Sequence, residues 1–199
     1  MAKQKAITPK KRTYDNSLRS IQSTQNQLAI VEALVNLLAE KRGGEVKIQE
    51  IAEKTGMTER TIFRFFKDKK SLHEAMDKYL MSYLSAGTRQ LDEYDFVGFG
   101  VNAMKLFQEN EAVTLAYVLS PLGKEARDLF RKKLNQLMIE KIAKEKNLTV
   151  SEKNRHKIAL IVNLVNAKLW YDLKSEHHLS GPEIEESVGW ALESLLKNL

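Results

Sequence analysis

The chain has 199 residues with three prolines and nine glycines, and a formal net charge of +6 at pH 7. That length can bury a sizeable core, as one large domain or as a small domain beside a larger one. With no cysteine, disulfides, Cys-based zinc sites and thiol catalysis are excluded; with nothing like a secretory signal, and no apolar run near the roughly 18 residues that span a bilayer, a cytoplasmic location and no membrane partner are expected.

The charge is unevenly placed. Residues 1–23 hold Lys3, Lys5, Lys10, Lys11, Arg12 and Arg19 against Asp15, residues 24–80 are nearly balanced, and residues 81–199 are neutral. The first 23 residues lack helical apolar periodicity and include Pro9. Such a segment is expected to be a flexible basic arm that can follow a phosphate backbone or enter a minor groove. A merely solubilising terminus is the alternative. Across the whole chain, only three prolines and long stretches of 3.6-residue period predict an all-α fold.

The first core helix is expected over 24–41, with Leu28, Val31, Leu34, Val35 and Leu38 on one face and Gly43-Gly44 ending it. Residues 46–72, VKIQEIAEKTGMTERTIFRFFKDKKSL, then carry the densest information in the chain. Ile48, Ile51 and Ala52 share a helix face by their i, i+3, i+4 spacing. Gly56 marks the stop, since glycine takes the left-handed conformation after a helix without steric cost. Thr58 can cap the next helix with its hydroxyl. Ile62 with Phe65 or Phe66 faces back, which leaves Glu59, Arg60, Thr61 and Arg64 outward. A short polar helix on a hydrophobic base fits a DNA major groove. The pattern is a helix-turn-helix, and its second helix is the reader.

The segment resembles the N-terminal domain of the TetR family of bacterial transcriptional regulators. The family pattern places an Ile-Ala pair, an Ala-Gly-Val-like triplet, Ser/Thr, Tyr, Phe, Lys and Leu in order. This chain has Ile51-Ala52, Thr55-Gly56-Met57, Thr58, Phe63, Phe66, Lys69 and Leu72 at those places, and the match covers roughly residues 24 to 80. Three positions depart from it: Phe63 replaces the usual tyrosine, Lys47 replaces a capping threonine, and Arg60 replaces a small residue. The last bears on which bases are met.

Chemistry suggests roles within the motif. Arg60 is the expected base reader, because a guanidinium can fork onto guanine O6 and N7; Arg64 could read a base or hold a phosphate. Thr58 and Thr61 can reach phosphate or a thymine methyl, and Phe63 keeps the stacking body of the tyrosine it replaces. Lys67 and Lys69 lie where a fourth helix begins, with free N–H groups that attract phosphate. Lys47 is placed for the opposite flank. Glu59 could accept from cytosine N4 or favour the helix start through the dipole.

The fourth helix is expected from 69 to beyond 83, and a domain boundary near 84–85, giving a DNA-binding domain over 24–84 and a helical ligand-binding and dimerisation domain over 85–199. Five further helices are expected, over 96–109, 111–120, 124–146, 151–175 and 182–199, for about nine in all. Pro121 and Gly123 close the second of these, Ser151 starts the fourth, and Pro182 starts the last.

Residues 158–165 are apolar nearly all round, and Ile184, Val188, Leu192, Leu195 and Leu199 form a stripe that Trp190 and Leu196 widen. Helices apolar on two faces need two partners, and the resemblance implies a homodimer built on the last two long helices. Ile161, Val165, Ile184, Val188, Leu192 and Leu195 are the candidate interface. A single domain burying both faces is the alternative. The resemblance also implies a pocket in the second domain. Phe96, Phe99, Met104, Phe107, Tyr117, Phe130, Trp170 and Tyr171 are candidate walls, each of which could equally be core. Asn163 and Asn166 lie in the apolar stretch and could bond a ligand or pair across a dimer seam.

His177-His178 diverge on a helix, and Glu152 with His156 more simply forms a solvated face. No HExxH and no glycine-rich phosphate cradle is present, so neither catalysis nor a metal or cofactor is expected. The function that follows is a sequence-specific transcriptional regulator of double-stranded DNA. Its expected form is a homodimeric repressor released from a palindromic operator by a small, apolar effector. The alternatives are a DNA-bound protein whose second domain contacts another protein without a ligand, and an activator.

Overall fold

The computed structural model describes residues 16–121 and 124–199, and these form ten α-helices and one 3-10 turn. The first helix, α1 (Asn16–Glu40), starts eight residues before the expected Thr24. Thr24 is no cap: its hydroxyl donates back to the Ser20 carbonyl at 3.0 Å, and Gln22 donates to Asn26 at 3.2 Å. These local bonds carry the helix through residues that bury little, since Ile21 is exposed and Leu28, expected in the core, is 45% exposed. The basic arm expected over 1–23 therefore lies outside the described residues as far as residue 15, and its last residues are helical. Burial starts in earnest at Ile30 and continues through Val31, Leu34, Val35 and Leu38.

The helix ends as the two glycines predict. The Gly43 N–H reaches the Leu38 carbonyl at 2.8 Å, with Arg42 at φ +50° and Gly43 at φ +82°. Next come α2 (Ile48–Thr55), α3 (Glu59–Phe65) and α4 (Lys69–Arg89). Helix α4 runs through the expected boundary at 84–85, and a 3-10 turn (Gln90–Asp92) follows it directly. The boundary was expected because residues 85–95 are polar, but a polar face is all a helix needs where it leaves the core.

The second half contains α5 (Phe96–Glu109), α6 (Glu111–Leu119), α7 (Lys124–Glu145), α8 (Arg155–Asn163), α9 (Ala167–Ser175) and α10 (Gly181–Lys197). Helix α5 is capped by the Asp95 carboxylate, which accepts from the Gly98 N–H at 2.7 Å. Ser120 is extended, as a residue before proline prefers; Gly123 lies outside the described residues. The single helix expected over 151–175 is two. Its break falls at Asn166, which is extended and whose side-chain oxygen accepts from the Leu169 N–H at 2.9 Å, capping α9. Helix α10 starts from Ser180, whose N–H donates to Glu183 at 2.7 Å. None of the helices in the described residues is long and apolar enough to cross a membrane.

Two hydrophobic clusters organise these helices. One gathers α1, α2, α3 and α4 around Ile30, Leu38, Ile51, Ile62, Leu72 and Met76; the other gathers α5, α7, α8, α9 and α10 around Phe96, Met138, Ile158, Trp170, Ile184 and Leu192. Helix α6 belongs by sequence to the second half, yet its Ala116 is fully buried in the first cluster. It packs along α1, in one of the two most extensive helix pairs; the other is α5 with α10.

Candidate nucleic-acid interface

The exposed surface of α3 follows from how its base is held. Ile51 and Ala52 of α2 pack into the first cluster, and Gly56 at φ +68° turns the chain, with the Met57 N–H returning to the Ala52 carbonyl at 3.1 Å. Thr58 then caps α3, its hydroxyl accepting from the Thr61 N–H at 3.2 Å. Ile62 is wholly buried and Phe66 nearly so; a side chain such as Ile62 contributes about 1.5–3 kcal/mol by leaving water. With those two pointing inward, Glu59, Arg60, Phe63 and Arg64 are exposed. Phe63 shows 44% of its surface, an apolar face available to a sugar or a thymine methyl. The Arg64 guanidinium lies 5.2 Å from the Phe65 ring centre, which restrains it, whereas Arg60 has no such anchor described.

Thr61 is partly buried, and its hydroxyl shares a 3.0 Å hydrogen bond with that of Thr58. At the flanks, Lys47, Lys67 and Lys69 are exposed. The Lys47 N–H donates to Glu50 at 2.8 Å, and Glu50 also takes the Lys41 ammonium at 2.6 Å. Those two contacts, Lys41 first, hold the Glu50 carboxyl below its ordinary range. The start of α2 is thus tied by Glu50, and the Lys47 side chain is exposed beside it. At the start of α4 the sequence expectation needs a correction. The Asp68 carboxylate takes the Ser71 N–H at 2.8 Å, which with the Ser71 hydroxyl lowers its pKa. One of the N–H groups expected to face phosphate is therefore already satisfied, and attraction there falls more on Lys67 and Lys69.

The candidate interface residues are placed differently from the expectation. Ile161, Val165, Ile184, Val188 and Leu192 are buried within the chain's own second cluster, and Leu195 packs beside them. Their stripe faces α5 and its neighbours. The apolar surface left outside on α8 and α10 is Leu160, 54% exposed, and Trp190, 70% exposed. Asn163 and Asn166 are not buried polar residues: Asn163 is exposed and accepts from Arg131 at 3.1 Å, while Asn166 is the cap of α9.

Behind the motif lie two adjoining chambers of about 260 and 200 Å³ that share Leu84, Phe107, Tyr117, Phe130, Leu134, Val165 and Ala167. Of the eight candidate wall residues, Phe99, Phe107, Tyr117 and Phe130 line the chambers, and Asn163 and Asn166 join them in the larger. Met104 and Trp170 do not; both are buried in the packed core, because large side chains at helical spacing fill interiors by default. The smaller chamber is apolar, with Ala103, Leu106 and Val113 in its wall. The larger adds Arg127, Asp128, Arg131 and Lys168. Burial pushes the Tyr117 phenol up from its ordinary pKa, so it stays protonated. The Arg127 guanidinium sits 5.5 Å from the Tyr117 ring centre and donates to the Ser120 carbonyl at 2.6 Å. Burial also raises the Asp77 carboxyl on α4, and Arg127 offsets part of that rise.

Two features escaped the sequence. Helix α6 is a shared wall: Val113, Thr114 and Tyr117 line the apolar chamber while Ala116 enters the DNA-side core. Beside it, Arg42 at the end of α1 donates to the Tyr171 hydroxyl of α9 at 2.7 Å. The only trace of these in the sequence is a small residue inside an apolar run and an arginine before two glycines. Arg127 and Arg131, four apart on α7, read like any solvated helix face.

Residues 30–76 match the family model described as "Bacterial regulatory proteins, tetR family". No curated protein matches the chain in sequence. Among solved structures, the chain is similar to a TetR transcriptional regulator from Rhodococcus sp. RHA1, at 18% identity over 91% of this chain and 99% of that one, with a TM-score of 0.45. The matched residues hold the glycine turn, the Thr58 cap and the buried base that presents α3, and over this segment the chain carries the DNA-binding region of the tetR family of bacterial regulatory proteins.

Proposed function

We propose that this regulator is a homodimer that holds a near-palindromic operator and lets go when a small molecule enters the cavity behind the motif. The observation that carries this reading is the double role of α6. One face lines the chambers through Val113, Thr114 and Tyr117, and Ala116 sits in the core that supports α3. A ligand that displaces α6 must therefore disturb the packing of α1 beneath the reading helix. By linkage, DNA weakens the ligand by the same factor as the ligand weakens DNA. An interaction protein with a filled second domain is disfavoured by the two chambers of about 260 and 200 Å³ that adjoin there.

At the DNA, Arg60 reads bases from the first turn of α3, Arg64, Lys47, Lys67 and Lys69 hold phosphates, and Phe63 makes apolar contact. The second copy is proposed to cover Leu160 and Trp190 rather than the buried stripe. Two-fold pairing would set the reading helices about 34–36 Å apart. Selection of duplexes from a random library by the full chain tests this: the expected product is an inverted repeat with half-site centres about 10–10.5 base pairs apart or a multiple of that. Enrichment of single, unrepeated sites would refute the dimeric reading.

A further inference from the structure

We propose that the cavity accepts an organic anion, its apolar or aromatic body among Phe99, Leu106 and Val113 and its carboxylate at Arg127 and Arg131. This rests on the reading of the cavity as an effector site, and it replaces the apolar effector expected from sequence. The two chambers differ in chemistry and share a wall. Among the described residues, the smaller has no charged side chain in its lining, and the larger carries Arg127, Arg131 and Lys168 against the carboxylate of Asp128, which is exposed.

The cations are not equally committed. Lys168 is paired with Asp172. Arg131 gives one nitrogen to Asn163 at 3.1 Å. Arg127 gives Nη2 to the Ser120 carbonyl at 2.6 Å, but its Nη1 is buried with no partner among the described residues. A guanidinium is always charged and has five donors in a planar fork suited to a carboxylate. A buried N–H of such a group without an acceptor is costly, so an anionic oxygen placed at Nη1 would be favoured there. Arg127 and Arg131 are one helical turn apart on α7 and so share a face. Tyr117, in the wall common to both chambers, keeps its phenol proton and can add a neutral donor.

The same arginine connects the site to the DNA side. Arg127 acts electrostatically on Asp77 of α4, the helix that begins at Lys69 beside the reading motif. An anion at Arg127 would compete for that charge.

Calorimetric titration of the full chain with matched pairs tests the proposal: octanoate and octanol, decanoate and decanol, 2-naphthoate and 2-naphthol, with decylammonium as the opposite charge. Each acid is expected to bind roughly tenfold or more tightly than its alcohol, as charge-assisted hydrogen bonds outweigh neutral ones. Arg127→Gln should collapse that gap by weakening each acid far more than its alcohol, and Arg127→Lys should restore part of it. Arg131→Gln, at an exposed position, should narrow the gap likewise and serves if Arg127→Gln does not fold. Equal binding of acids and alcohols, or tightest binding of decylammonium, overturns the anion site while leaving the effector cavity standing. If no pair binds, the effector reading fails together with it.

Discussion

Helices α2 and α3 and helices α8 and α9 are both pairs of short helices with a break between them, and they were legible to different degrees. The first break has a glycine at φ +68° followed two residues later by the Thr58 cap. The second has neither glycine nor proline; Asn166 adopts an extended conformation and caps α9 by itself. A glycine stop is written in the backbone's steric preferences. An asparagine cap competes with continued helix, and an apolar stretch such as 158–165 argues for continuation on the same residues. Local chemistry marks a break only when the residue there has no comfortable alternative.

The largest effect is expected at Gly43, where the DNA-side core meets α6. A Cβ there would stand 2.3 Å from the Leu119 carbonyl oxygen, on a backbone at φ +82°. Gly43→Ala should cost about 2–4 kcal/mol from left-handed strain plus overpacking, a fall of roughly 5–15 °C in a thermal melt. Gly56→Ala is the control, since a Cβ there meets nothing within 4 Å; it should cost only the strain, about 1–2 kcal/mol. Equal losses would mean that α6 does not brace α1.

Arg60→Ala should remove about 1–3 kcal/mol of discrimination at one or two base positions, measured by binding to a panel of operator variants, with little change in non-specific affinity. A uniform loss over all sequences would assign Arg60 to phosphate instead. Asn166→Ala should destabilise by about 1 kcal/mol, the usual value of a side-chain cap, read from denaturant unfolding. No loss would show that packing around Val165 and Trp170 sets the α8–α9 break without help. The smallest effect belongs to residues 1–12: their deletion should flatten log affinity against log salt by about 0.9 for each phosphate contact removed. An unchanged slope would leave the arm without a part in binding.

The candidate DNA residues were legible because helix-turn-helix geometry is local. Ile51, Gly56, Thr58 and Ile62 lie within a dozen residues and fix which way Arg60 and Arg64 point. The cavity was legible only in part. Phe99, Phe107, Tyr117 and Phe130 line it, yet Met104 and Trp170, equally plausible by spacing, fill the core. Arg127 was invisible as a lining residue, since its place in the chamber depends on α6 and α8 being brought beside α7.

The sequence by itself determined the all-α class, the reading helix and its buried base, and the family of the DNA-binding segment, because each depends on torsional preferences and periodicities spanning a few turns of chain. Only the tertiary structure decided that the stripe of Ile184, Val188 and Leu192 turns inward to α5, that α6 joins two cores, and that charged and apolar chambers meet at Tyr117. Burial is a property of what lies across from a side chain. An apolar face states that it must be covered, and the helix that covers it is set by the packing of the whole chain.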